Sequence, residues 1–263
     1  MARILFDRVG KAFDAGDRRI QAIEEVTLDI PAGTFASLVG PSGCGKTTLL
    51  NIVAGFEAPT EGRVSVDGRE VQDPGPDRGV VFQEPGLFPW LRVEENVGFP
   101  LRVCGLPAAE LRERVVAILE QVGLAAFKRS YPAELSGGMR QRVAIARVLA
   151  MDPAVLLMDE PFAALDVQTR SLMQEFLLQL LEARRKTVLF ITHDIQEAVF
   201  LADRVYIMSA RPGRLKEGLE VALPRPRTVE SMFLPGFHEI VDRAFRVVRE
   251  EAIRAMQMSD AIG

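Results

Sequence analysis

The spacing of apolar residues changes period several times along the chain, and those changes divide it. Ile4 and Phe6, then Val26, Leu28 and Ile30, alternate with polar neighbours, a period of two that predicts half-buried antiparallel strands. Pro31-Ala32-Gly33 reads as a turn, Phe35 to Val39 as a short, wholly apolar strand, and residues 49–54 as an apolar helical segment. Thr60-Glu61-Gly62 turns the chain into another strand at residues 63–66, which ends on the hairpin signal Asp67-Gly68. A cluster of turn residues at 73–79 precedes the apolar Val80-Val81-Phe82. From Leu91 to Ala150 the pattern is helical throughout; residues 108–122, with Pro107 near the start, place Leu111, Val115, Ile118, Leu119 and Val122 on one face.

Strand-like runs return at residues 154–158, 187–191 and 204–208, and the turn Arg211-Pro212-Gly213-Arg214 leads into 215–223. Pro224-Arg225-Pro226-Arg227 reads as a boundary. Beyond it Phe237, Val241, Ala244, Val248, Ala252 and Ala255 recur at helical spacing, predicting an amphipathic helix packed on its own domain rather than a regulatory one. The expected architecture is α/β, with an antiparallel β subdomain and an inserted helical subdomain at about 84–150. The main domain is expected over 1–223 and a C-terminal extension over 224–263.

Composition narrows the class. A chain of 263 residues can bury about three quarters of its unfolded surface. A net charge of −4 argues against a general nucleic-acid binder, which carries a basic stripe. Two cysteines, Cys44 and Cys104, make no disulfide framework, so a reducing cytosol is expected. No apolar run approaches a membrane span, and acidic Asp7 stands where a signal peptide needs its apolar core, so the chain is expected neither to cross nor to be exported through a membrane by itself.

The chemistry centres on Gly40-Pro41-Ser42-Gly43-Cys44-Gly45-Lys46-Thr47-Thr48. It lies between a strand and a helix, the context a P-loop NTPase core requires. Glycines let backbone amides turn inward around phosphates, and the helix start adds orphan N–H groups and the positive end of its dipole. Lys46 would reach the β- and γ-phosphates of a bound nucleotide, and Thr47 would offer its hydroxyl to Mg²⁺, which favours hard oxygen ligands. The alternative is a glycine-rich turn capping a buried helix. The helix N-terminus is also expected to favour a Cys44 thiolate, so that alkylation of Cys44 would block ATP binding.

Two further stretches stand out. Ser136-Gly137-Gly138 opens a helical segment, and a Ser with two exposed glycine amides makes a second anion site, weak evidence if it stood alone. Pro85-Gly86-Leu87-Phe88-Pro89-Trp90-Leu91 gathers apolar side chains among prolines; this is either local packing or a docking surface for a partner.

Together with the phosphate loop, Leu135-Ser136-Gly137-Gly138-Met139 resembles the LSGGQ signature of ABC transporter nucleotide-binding subunits, and the rest of that family's set follows in order. The resemblance covers residues 4–223. It implies that residues 154–160 form the Walker B strand, with Asp159 holding Mg²⁺ and Glu160 orienting the attacking water. It implies that Gln83 joins Mg²⁺ and that His193 is the switch histidine contacting the γ-phosphate. Phe13, expected in the loop after the first strand, is placed to stack on the purine or else belongs to the core. Ala164-Leu165-Asp166 resembles the D-loop, with Ala where the family has Ser; Asp166 is equally suited to cap the helix running to Arg184.

Residues 74–85, 87–91 and 200–205 are similar to the subfamily that powers import of nitrate, sulfonates and taurine. With one phosphate loop and one signature, the resemblance implies a homodimer, each copy closing Ser136, Gly137 and Gly138 over its mate's ATP. It further implies membrane-spanning permease subunits as partners, a solute-binding protein indirectly, and a peripheral place on the cytoplasmic face of the membrane. A soluble ABC ATPase not coupled to transport would be expected to carry paired cassettes or a long coiled-coil insertion. A P-loop kinase or GTPase gives no account of the Ser-Gly-Gly start followed by Asp159-Glu160.

Overall fold

The computed structural model describes residues 1–16, 18–182 and 186–260, and the chain falls into two compact units. The first comprises residues 1–75 and 185–263 and contains two sheets. In the antiparallel sheet β1 (Ile4–Ala15) pairs with β2 (Arg18–Ile30) and with β4 (Glu61–Val66), which is joined by a tight turn to β5 (Arg69–Glu70). The registers Ile4↔Ile30 and Phe6↔Leu28 put the alternating apolar residues on one buried face, as their period of two requires. Beyond Phe6 the register slips, and Arg8 and Glu25 both sit at φ 50°, the backbone signature of a bulge that twists the ribbon.

The second sheet of this unit has β3 (Phe35–Val39) between β8 (Thr187–Ile191) and β9 (Arg204–Met208), both parallel to it; β10 (Leu215–Glu220) runs antiparallel on the edge of β9. Every residue of β3 and β8 is buried, which is why these strands read as continuous apolar runs rather than alternations. α1 (Lys46–Ala54), α6 (Ile195–Leu201) and α7 (Pro235–Asp260) complete the unit. α7 buries Phe237 and Ala244 as its spacing foretells, but Glu251, on the same face, is buried too.

The second unit, residues 76–184, holds the parallel pair β6 (Arg78–Val81) and β7 (Val155–Asp159). Its helices are α2 (Val93–Val103), α3 (Ala108–Gln121), α4 (Gly137–Ala150) and α5 (Val167–Glu182). No strand is found among residues 91–150, in keeping with the helical pattern there. The expected end of the helix at Arg184 lies outside the described residues. Among the described residues no helix is long and apolar enough to cross a membrane.

Candidate functional site

In the first unit the loop of residues 40–48 leaves the carboxyl end of β3 and runs directly into α1. Gly45 caps that helix in the left-handed conformation, with no side-chain cap of its own. Gly43 is also left-handed, at φ 73°. The Lys46 ammonium, buried, donates to the carbonyl oxygens of Gly40 at 2.8 Å and Pro41 at 3.1 Å, drawing the loop around its own cation. A glycine-rich helix start folded around a buried ammonium has donors suited to phosphate groups, such as those of a nucleoside triphosphate. His193 follows β8, the parallel neighbour of β3 in register Leu38↔Ile191, so the loop and the exposed His193 leave the sheet at the same ends of adjacent strands. Asp194, which sequence reasoning did not single out, caps α6 by accepting from the amides of Gln196 and Glu197 at 2.9 and 3.2 Å.

Two expectations in this unit are corrected. Phe13 is not in a loop after the first strand: it lies within β1, paired with Ile20, its half-open ring covered by the Lys11 ammonium at 5.0 Å. The bulges let the β1–β2 ribbon extend further than the alternation could show. Cys44 is fully buried, and burial pushes its thiol up; the Lys46 ammonium, 3.7 Å from the sulfur, offsets only part of that. Desolvation outweighs the helix terminus, so the loop thiol is neither accessible nor activated. Cys104, by contrast, is exposed.

In the second unit β6 and β7 are parallel in register Val81↔Met158, so Gln83, just past β6, and Asp159-Glu160, where β7 ends, lie at the same ends of neighbouring strands. Glu160 adopts φ 45°, a conformation uncommon for a residue with a side chain and met disproportionately at functional sites. Ser136 caps α4, its Oγ accepting from the Met139 amide at 3.3 Å. Gly138 packs so closely on α5 that a Cβ there would lie 2.7 Å from Thr169 Cγ2, while the Thr169 amide donates to Asp166 Oδ1 at 3.0 Å. Asp166 is therefore a helix cap in this structure, and the Ser-Gly-Gly start and the segment 164–166 form one packed junction. Asp166 Oδ1 accepts that amide proton, and this holds the carboxyl below its ordinary value.

The apolar stretch around Trp90 is organised by Asn96, a buried polar residue of α2 that the pattern gave no reason to choose. Its side chain accepts from the Phe88 amide at 2.8 Å and donates to the carbonyls of Phe88 and Leu91 at 3.1 and 3.0 Å. Arg147, on α4, donates to the carbonyls of Gly86 at 2.8 Å and Pro85 at 3.0 Å and lies over the Phe88 ring; burial lowers its guanidinium from the ordinary value. Beside it opens a groove of about 360 Å³ lined by Arg78, Phe88, Phe99, Pro100 and Met151, and Trp90 itself is 70 % exposed.

A family model described as ABC transporter matches residues 23–163. Among curated proteins, the aliphatic sulfonates import ATP-binding protein SsuB of Bacillus cereus is 46% identical over 87% of this chain and 90% of its own length. The nitrate import ATP-binding protein NrtD of Synechocystis sp. is 45% identical over 88% of this chain and 89% of its own. A solved structure described as a dimeric post-hydrolysis state of the ATP-binding cassette MJ0796, bound to ADP and Pi, superposes with a TM-score of 0.72 at 35% identity. It covers 83% of this chain and 98% of that one.

Proposed function

This chain belongs to the ABC transporter family as an ATP-binding, ATP-hydrolysing subunit, and we propose that it energises import of a small solute of the nitrate, sulfonate or taurine class. The observation that carries this reading is the pairing of a phosphate loop built from strand, glycines and helix start with a second glycine helix start at Ser136. One chain carries one of each, and the dimeric cassette it resembles supports a homodimer in which each copy's Ser136, Gly137 and Gly138 close over ATP held by its mate's loop.

In this reading Lys46 and the loop of residues 40–48, all of whose backbone amides except that of Pro41 can donate, hold the phosphates. Thr47, Gln83 and Asp159 would hold Mg²⁺, which supplies charge neutralisation on the β- and γ-phosphates. Glu160 orients and polarises the water that attacks the γ-phosphorus, and His193 holds the γ-phosphate oxygens. Asp166 aligns the dimer through the junction it forms with Gly138, and Phe13 flanks the adenine. The groove beside Phe88 and Trp90 receives a short cytoplasmic helix of a permease subunit, which places the protein peripherally on the cytoplasmic face of the membrane. The main cassette is residues 1–223, with a helical lobe at about 84–150 and an extension over 224–263.

Co-purification with the membrane partner, followed by ATPase assays with candidate solutes and their binding protein, tests the assignment. Stimulation by an oxyanion or sulfonate supports it. Hydrolysis indifferent to every permease and solute would favour an ABC-type ATPase not coupled to transport.

A further inference from the structure

The hairpin between β9 and β10 reaches behind the phosphate loop. At its tip the Gly213 amide donates to the Ala22 carbonyl at 2.8 Å and the Gly213 carbonyl accepts from the Glu24 amide at 2.9 Å, so the tip adds to β2 on both sides of Ile23. Ile23 in turn lies against the loop: a Cβ at Gly45 would come within 2.2 Å of its Cδ1. Gly213 touches the loop directly. A Cβ there would lie 1.9 Å from the Cys44 carbonyl oxygen and 3.1 Å from the Cys44 carbonyl carbon, so that carbonyl points at Gly213. A peptide unit is planar with its C=O and N–H opposed, so a Cys44 carbonyl aimed backward turns the Gly45 N–H forward, into the loop.

Both stems of the hairpin are tied to the C-terminal helix. Glu251, buried on α7, accepts from the Ala210 amide at 3.1 Å just after β9 and pairs with Lys216 of β10 at 3.3 Å. Its second neighbour Arg254, at 2.7 Å on the same helix, holds the carboxylate in place.

We propose that Gly213 is a positioning residue for ATP, setting the Cys44–Gly45 peptide so that its amide faces the phosphates, and that Glu251 of α7 holds Gly213 there. The C-terminal extension thereby acts on nucleotide affinity through the rear of the loop. This rests on the phosphate-loop reading above. It requires Gly at 213 for close approach rather than for a left-handed backbone.

The test uses the full-length protein with Cys104→Ser, ATP titrated calorimetrically in the presence of Mg²⁺, and maleimide labelling of Cys44 followed by mass spectrometry. Gly213→Ala should weaken ATP binding by about tenfold or more, the scale at which displaced binding groups act. It should raise KM with kcat little changed, and it should speed Cys44 labelling as the loop loosens. Glu251→Ala should move the same three readouts in the same direction. Glu251→Gln, which keeps an acceptor for the Ala210 amide, should restore them. If Gly213→Ala does not fold, the Glu251 pair decides alone. A Glu251→Ala protein that loses thermal stability yet binds ATP and protects Cys44 as the parent does would overturn the proposal and leave a purely structural brace. Failure of the parent itself to bind ATP would overturn the functional reading instead.

Discussion

Glu160 stands one residue beyond β7 in the left-handed region, where the backbone aims its side chain away from the strand's alternation. Glu160→Gln makes the same backbone demand and keeps the side chain's shape, but a neutral amide polarises water poorly. Steady-state hydrolysis is expected to fall by at least about a hundredfold, the usual scale for losing a general base, while ATP affinity is kept; near-normal turnover would sink the assignment. Lys46→Ala should instead lose nucleotide affinity, because the buried ammonium is the loop's own counter-charge as well as the phosphates'. The two cysteines give a residue-scale check of burial against helix-terminus activation. At neutral pH a maleimide is expected to modify Cys104 and spare Cys44, since a buried thiol with a raised pKa offers neither access nor thiolate. Fast labelling of Cys44 in the parent protein would mean the loop is open to solvent.

At the scale of elements, most strands and helices could be read from period alone, and the exceptions have identifiable causes. β1 and β2 run past the last alternating residue because bulges at Arg8 and Glu25 re-phase the pairing, which a period-of-two count cannot follow. The end of α6 depends on Arg227, twenty-six residues beyond it. Its buried guanidinium donates to the carbonyls of Ala202 at 2.6 Å, Phe200 at 3.1 Å and Val221 at 3.3 Å. Arg227→Met would leave these acceptors unpaired and should cost about 2 kcal/mol in denaturant unfolding. Burial lowers this guanidinium to about 10, so the folded state binds fewer protons than the unfolded one only between that pH and the group's ordinary value. Stability from Arg227 therefore rises with pH in that alkaline window and is flat below it, and the loss on substitution should be equal at about pH 6 and pH 8.

The loop after β6 is likewise an assembly of elements, since Asn96 of α2 and Arg147 of α4 set its backbone. Phe88→Asp or Leu91→Asp should weaken permease association by about 2 kcal/mol or more if either is an anchor. ATP binding by the isolated subunit should be spared, and Trp90 fluorescence should shift on docking. Unchanged co-purification with an indifferent Trp90 signal would reduce the loop to local packing.

For the whole molecule, the proposed output is closure of two copies on ATP. The Glu160→Gln protein with Mg²⁺ and ATP is expected to elute as a dimer in size-exclusion chromatography and to return to monomer when ATP is replaced by ADP. A monomer under both conditions, at concentrations well above the ATP dissociation constant, would remove the shared-site reading and with it the role given to Ser136, Gly137 and Gly138.

Local structure was legible without coordinates wherever it is carried by neighbours in the chain. The phosphate loop, the Ser136 helix start and the Asp159-Glu160 strand end each need a few contiguous residues whose backbone and side-chain demands are met within one turn or strand. The same holds for the apolar runs of β3 and β8 and the face of α7. What depended on the folded chain is set by residues distant in sequence: Gly213 against Cys44, Glu251 on both stems of the hairpin, Arg227 on the carbonyls that end α6, and Arg147 on the backbone at Gly86. No periodicity marks such residues, because a buried arginine or an unsubstituted glycine is selected by one particular neighbour. Burial likewise overrode local rule at Cys44, where the energy of desolvating a thiolate exceeds what a helix terminus and a single ammonium return.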